Sequence, residues 1–180
     1  AGHGVQAART AALVKDVVHA FVHQGASPAE VLKKTNRLLV EKALDGFVSL
    51  FLGVLDTADG TLRYCSAGHP DTLLRRSPKD VHRLQSASSP LGVFFDATWK
   101  EEEVELRPED ILLLYTDGVT EARNGARFFG EDRLQAIVRD CSTTVEQLPQ
   151  LILDEVLAFT DGILRDDLAL LALSLAPREH

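Results

Sequence analysis

The chain has 180 residues and a mass of 19.7 kDa, with 45% hydrophobic and 26% charged residues. That balance suits one globular domain and excludes a disordered tail or a low-complexity linker. A net charge of −8 excludes a nucleic-acid binder that relies on a basic surface. Methionine is absent, so Ala1 reads as a processed or truncated start. No apolar run approaches the ~20 residues that span a bilayer, and residues 1–20 lack the basic and apolar regions of a signal peptide. The two cysteines, Cys65 and Cys141, form no metal-binding pattern and read as small buried apolar side chains. So few cysteines suit a reducing cytoplasm.

Residues 5–24 carry apolar side chains at helical spacing (Val5, Ala8, Ala12, Val14, Val17, Val18, Phe21), and Gly25 can end that helix. Ser27-Pro28-Ala29-Glu30 reads as an N-cap, a first-turn proline and a capping-box glutamate, opening a second helix over 28–44. The two make an antiparallel helical hairpin. Phe47–Asp56 has the length and composition of a buried strand. Thr57-Ala58-Asp59-Gly60 is a turn, and 61–66 pairs back. Shorter strands are expected near 71–76 and 81–84, and 99–106 reads as a polar strand with one exposed face. Within it, Glu101-Glu102-Glu103 reads as a solvated run. Pro108-Glu109-Asp110 is a turn, 111–116 a buried strand, and 130–140 and 145–160 helices. Thr143 and Glu146 are read as opening the second of these. Leu168–Ala176 closes the chain as a buried strand. Strands joined by tight turns predict an α+β fold with antiparallel sheets rather than a doubly wound parallel sheet.

The chemistry concentrates at two strand ends. Asp117 follows the strand Ile111–Thr116 directly, and Gly118 lets the backbone turn away from it. Asp166 and Asp167 come just before the last strand. Carboxylates brought together raise one another's pKa, and a hard divalent cation removes the conflict. This pattern points to an oxygen-ligand metal site with an open position. From spacing alone the same aspartates also fit ordinary turns and caps.

Five blocks stand in order along the chain: Ala1-Gly2-His3-Gly4-Val5, Cys65-Ser66-Ala67-Gly68-His69-Pro70, Pro90-Leu91-Gly92-Val93, Tyr115-Thr116-Asp117-Gly118-Val119-Thr120-Glu121-Ala122 and Arg165-Asp166-Asp167-Leu168. Together they resemble the metal-dependent (PPM-type, type-2C) protein serine/threonine phosphatases, in the stage II sporulation protein E-like branch of bacteria. Phe47–Asp56 and Phe129–Leu134 are similar to the family as well. The resemblance implies an αββα sandwich of two antiparallel sheets flanked by helices, with residues 1–180 as one phosphatase domain. It implies a centre of two Mn²⁺ or Mg²⁺ ions whose water attacks a phosphoserine or phosphothreonine in line.

Carried over by position, Asp117 and Asp166 match catalytic metal ligands, and Asp167 is the alternative if the register is off by one. Ala169 stands where many members have Thr or Ser. The family's bridging Asp, which precedes the glycine block, and its first strands would lie upstream of Ala1. The chain is therefore expected to be N-terminally truncated, to keep one metal site at most, and to have little or no activity by itself. Unpaired sheet edges would favour association into a homodimer. His3 and His69 read as structural or turn residues, and Glu121 as either a surface residue or an acceptor near metal waters. In this branch the two N-terminal helices are implied to couple a regulatory segment to metal binding.

The implied substrate is a phosphoserine on a small regulatory protein, such as an anti-sigma-factor antagonist, in a cytoplasmic partner-switching system with an upstream sensor domain. No nucleic acid and no membrane is implied for this segment. The competing reading is a degenerate phosphatase fold that binds without catalysis; a third is an unrelated α+β domain with incidental aspartates.

Overall fold

The computed structural model describes residues 5–42, 46–85 and 88–176. The elements in chain order are α1 (Val5–His23), α2 (Pro28–Glu41), β1 (Leu50–Leu55), β2 (Thr61–Ala67), β3 (Thr72–Ser77), β4 (Asp80–Leu84), β5 (Glu102–Glu105), β6 (Ile111–Tyr115), α3 (Asp117–Thr120), β7 (Arg123–Asn124), β8 (Arg127–Phe128), α4 (Glu131–Asp140), α5 (Leu148–Phe159) and β9 (Leu170–Leu173). They form two compact units, one of residues 1–69 with 86–105 and one of residues 70–85 with 106–180.

In the first unit, α1 ends where Gly25 takes a positive φ of 77°. Gly25 N–H donates to Val22 O and Ala26 N–H to Phe21 O, which satisfies the last carbonyls of the helix. The predicted capping box then opens α2. Ser27 N–H donates to Glu30 Oε2 at 3.0 Å, and Glu30 N–H donates to Ser27 Oγ. Glu101 is not simply solvated, as the sequence suggested. Its Oε2 accepts Ala29 N–H at 3.3 Å, placing a carboxylate at the positive end of α2.

β1, β2 and β5 form an antiparallel sheet in that order, with Leu50 opposite Ala67 and Tyr64 opposite Glu102. The β1–β2 turn is tied by Asp56 Oδ1 and Asp59 Oδ1, which accept Ala58 and Thr61 N–H at 2.8 Å each. The strand predicted over 47–56 starts only at Leu50, and it is half-buried rather than buried because β1 lies at the edge of its sheet. Val14, Leu32, Leu39, Cys65, Ala67, Leu91 and Trp99 make this unit's core.

In the second unit, β4, β3, β6 and β9 form an antiparallel sheet in that order. The inner strand β6 is buried as predicted. β9 is an edge strand, shorter than the predicted 168–176, and leaves Leu171 57% exposed. α4 and α5 supply Leu134, Val138, Leu148, Ile152 and Val156, all fully buried with Leu113 and Val119. α5 starts three residues later than predicted, and the expected Thr143–Glu146 cap is not formed. Thr144 O takes the N–H groups of Gln147 and Leu148 instead, and a hydrogen bond from Thr144 helps hold the Glu146 carboxyl below its usual range. Cys141 is only partly buried and is not a plain apolar filler. Its Sγ lies 2.8 Å from Arg75 Nη1, and the buried Arg75 guanidinium also donates to Cys141 O and Thr143 O, closing the C-terminal end of α4. Cys65 is fully buried, as predicted.

Two buried acids set an alkaline limit on stability. Burial pushes the Cys65 thiol up from 9.0 to about 11, with Glu101 and Glu102 adding to the rise. Burial likewise pushes Tyr115 up from 10.0 to about 12, reinforced by Glu131 and Asp71 and opposed by Arg83. Above the usual value of each group the unfolded chain ionises while the folded chain keeps its proton. These groups therefore leave stability unchanged below pH ~9 and erode it as pH rises to ~12, by about 2–3 kcal/mol each. Urea midpoints should hold level from pH 7 to about 8.5 and then fall, and Tyr115→Phe should flatten the upper part of that fall. A level midpoint to pH ~11 would contradict the burial argument.

Candidate functional site

β6 delivers Asp117 to the end of a buried strand. Tyr115 is 3% exposed, while the Asp117 side chain reaches solvent. The chain then turns into the single-turn helix α3, whose Gly118 and Val119 are buried. The segment that precedes β9 is clasped to this strand end. Thr116 N–H donates to Ala169 O at 3.1 Å. Thr116 Oγ1 donates to Asp167 O at 3.3 Å and accepts Ala169 N–H at 3.0 Å. Gly118 closes the joint, because a Cβ there would sit 3.0 Å from the Asp167 carbonyl carbon and closer still to its oxygen. The hydroxyl that Ala169 lacks relative to the resembled pattern is thus not needed to tie the segment: Thr116 ties it from the other side.

The clasp ties the segment that carries Asp166 and Asp167 to the strand end that carries Asp117. Gly118, Glu121, Ala122, Arg123, Leu164, Arg165 and Asp166 line a depression of about 230 Å³. Asp166 faces this cleft, and its Oδ1 accepts Asp167 N–H at 2.8 Å, which fixes the carboxylate relative to its own backbone. Neither Asp117 nor Asp167 lines the cleft, and the Asp167 carbonyl is taken up by the clasp. Asp117, Glu121 and Asp167 make no side-chain hydrogen bond or ion pair with any described residue. Carboxylate oxygens that form no ion pair with a protein cation fit the donor chemistry of Mg²⁺ and Mn²⁺. Among the described residues, no three His, Cys, Asp or Glu side chains group into a metal cluster. What the described chain presents is a carboxylate edge rather than a closed cage.

The other sequence blocks lie in the first unit. Gly68 takes a positive φ of 67° and packs on Pro90, and Ser88 Oγ hydrogen-bonds Ser66 O. His69 shapes this turn, as expected, with its carbonyl accepting from Ser66 Oγ and its ring 6.1 Å from that of Phe51. Asn36, 1% exposed on α2, was not singled out from sequence. It accepts Gly92 N–H at 2.8 Å and donates to Phe94 O at 2.9 Å, so it fixes the loop after Pro90-Leu91. Gly2, His3 and Gly4 lie outside the described residues. Thr116, Arg123 and Arg165 were also missed. Thr116 and Arg165 stand inside the aspartate blocks and Arg123 directly follows one, but nothing in those blocks gave the three a role of their own.

The profile of the stage II sporulation protein E (SpoIIE) family matches residues 1–176. The chain belongs to that family. Phosphoserine phosphatase RsbU of Bacillus subtilis is 29% identical over 177 residues, covering 96% of this chain and 52% of RsbU, so the chain spans about half of that relative's length. The SiaA-PP2C domain of Pseudomonas aeruginosa superposes with a TM-score of 0.83 at 23% identity, over 97% of this chain and 72% of that one. The phosphatase domain of the cell fate determinant SpoIIE from B. subtilis, presoaked with Mn, superposes with a TM-score of 0.69 at 17% identity, over 92% and 73% of the two chains. The fold is therefore the α+β phosphatase-domain fold of the SpoIIE family, with antiparallel sheets and flanking helices, as the sequence resemblance implied. That family is metal-dependent. No helix among the described residues is long and apolar enough to cross a membrane.

Proposed function

We propose that the protein is a metal-dependent phosphatase that hydrolyses phosphoserine or phosphothreonine on a regulatory protein. An anti-sigma-factor antagonist in a partner-switching system is the fitting substrate type. The observation that carries this reading is the clasp, which ties the Asp117 strand end to the segment that carries Asp166, with the Asp117 carboxylate left unpaired by any described protein cation. Membership of the SpoIIE family supports it, and so does the name of RsbU, a phosphoserine phosphatase. These make a purely binding role the weaker reading.

Asp117 and Asp166 are the proposed metal ligands and the catalytic carboxylates. Asp167 serves the site through its backbone, with its side chain the alternative ligand. Bound Mn²⁺ or Mg²⁺ supplies charge neutralisation at the phosphoryl oxygens and activation of the attacking water. The chain's own contribution is positional. The β6 end and the Thr116 clasp hold two carboxylates in place before substrate arrives, so little reorganisation accompanies the reaction. Gly118 permits the close approach on which that spacing depends. We assign residues 1–180 to one phosphatase domain in the cytoplasm, with a sensor or regulatory domain before it and a homodimer as the assembly to test.

The decisive measurement is phosphate release from a phosphoserine protein by the full-length protein, with Mn²⁺ and with excess chelator, run beside the 180-residue chain. Release that requires Mn²⁺ is expected, and the comparison of the two shows how much of it the 180 residues carry. Equal release with and without chelator would remove the metal mechanism.

A further inference from the structure

Arg123 and Arg165 share the cleft with Asp166 and Glu121, and both are exposed. Neither makes a side-chain hydrogen bond or ion pair with any described residue. Elsewhere in the same unit, arginines near carboxylates pair with them: Arg76 with Asp110 at 3.0 Å, Arg83 with Glu131 at 2.7 Å, Arg133 with Glu155 at 3.3 Å and Arg139 with Asp140 at 2.8 Å. In this cleft the two signs of charge stand side by side without cancelling. The carboxylates remain available to cations and the guanidiniums to anions.

Arg123 is also held in place. Its guanidinium lies 4.3 Å from the centroid of the Phe128 ring, its partner across the β7–β8 hairpin. Stacking occupies one face of the guanidinium and leaves its N–H edge without an acceptor. A guanidinium edge is a planar fork that matches two oxygens of a phosphate. A phosphate monoester carries about −1.5 to −2 charges at neutral pH, so a wall of carboxylates alone would repel it. A depression of about 230 Å³ takes a phosphorylated side chain rather than a folded surface.

We infer that Arg123 and Arg165 form a phosphate subsite beside Asp166, which takes the phosphoryl oxygens of a phosphate monoester and of the phosphate released from it. The substrate assignment rests on the phosphatase reading, whereas phosphate binding by the two arginines does not.

The test uses the Mn²⁺-loaded full-length protein and inorganic phosphate as the calorimetric probe. It also uses turnover of a phosphoserine peptide and of p-nitrophenyl phosphate. Arg123→Ala and Arg165→Ala should each weaken phosphate binding by about tenfold, the loss of one charge-assisted contact of about 1.4 kcal/mol. Arg165→Lys should recover only part, because the charge returns without the fork. KM should rise for both substrates by more than kcat falls, with thermal midpoints unchanged. Phosphate binding that is undetectable in the wild type, or unchanged when both arginines are removed, overturns the subsite. A rise in KM confined to the peptide also overturns it, since the arginines would then be reading protein rather than phosphate. Weakened phosphate binding in a protein that hydrolyses neither substrate leaves the subsite standing and sinks the phosphatase reading.

Discussion

Asp117→Asn should abolish the rise in thermal stability that Mn²⁺ gives the wild-type protein. A ligand that binds only the folded chain stabilises it by about 2.7 kcal/mol at one hundred times its Kd. For a chain of this length that is a shift of roughly 5–10 °C. The Asp117 carboxylate sits at the end of a buried strand and has no cation partner among the described residues. Replacing it with an amide removes a negative charge and one oxygen donor while disturbing little packing. The metal-free midpoint should therefore stay within about 0.5 kcal/mol of wild type, as for an ordinary surface substitution. Mn²⁺ affinity should fall by at least about 100-fold, since loss of a supporting partner alone costs about 10–100-fold. Asp166→Asn should behave alike. Asp167→Asn should cost less than about tenfold, since Asp166 is the proposed ligand of this segment and Asp167 the alternative. Electron paramagnetic resonance of bound Mn²⁺ reads these affinities without any assay of turnover. Full Mn²⁺ binding by Asp117→Asn would remove the carboxylate edge as a metal site. A larger loss at Asp167 than at Asp166 would move the ligand by one residue.

Local signals in the chain carried the fold well, and long-range ones carried it poorly. The α2 cap was legible because Ser27, Pro28 and Glu30 act within one turn. β6 was legible because an inner strand buries nearly every residue and so reads as an apolar run, and β2 because the Asp59-Gly60 turn sends the chain back beside β1. Edge position is a property of the sheet, so the half-exposure of β1 and β9 left no trace in composition. The β7–β8 hairpin is two residues a side, too short for any periodicity to register. Glu101 looked like part of a solvated acidic run because its partner, Ala29 N–H, lies 72 positions away. The proposal of Asp117 and Asp166 as ligands rests on strand-end placement and family pattern. Thr116 was not legible, since its role is a pair of hydrogen bonds to residues 51 and 53 positions along the chain. Asn36 did leave a signal. It is a polar residue on the face of α2 that buries Val31, Leu32, Thr35 and Leu39, and a buried amide needs partners.

Gly118→Ala should damage the site without touching a ligand. Gly118 is buried, and its backbone is not in the left-handed region, so conformational freedom is not the reason for a glycine here. The reason is space. The added methyl would meet the carbonyl of Asp167, which is backbone and cannot rotate aside as a side-chain tip would. Either the segment 166–168 moves outward or α3 does. Overpacking of this kind costs about 1–3 kcal/mol, and a displacement near 1 Å at a reacting geometry costs about 100-fold in rate. The variant should therefore fold with a lowered midpoint and bind Mn²⁺ more weakly.

Thr116→Val separates fit from general stability. It keeps the volume but removes the hydroxyl that accepts Ala169 N–H and donates to Asp167 O. Leaving those groups without the hydroxyl should cost about 1–3 kcal/mol and loosen the same segment. Thr116→Ser should restore both stability and affinity. If both Gly118→Ala and Thr116→Val lowered the midpoint yet bound Mn²⁺ as wild type does, the clasp would be a stability element only. The geometry of Asp166 would then have to be set by something other than its tie to the Asp117 strand. If affinity falls in both and returns with serine, the hydroxyl and the missing Cβ are two halves of one device that holds the terminal aspartates against the end of β6.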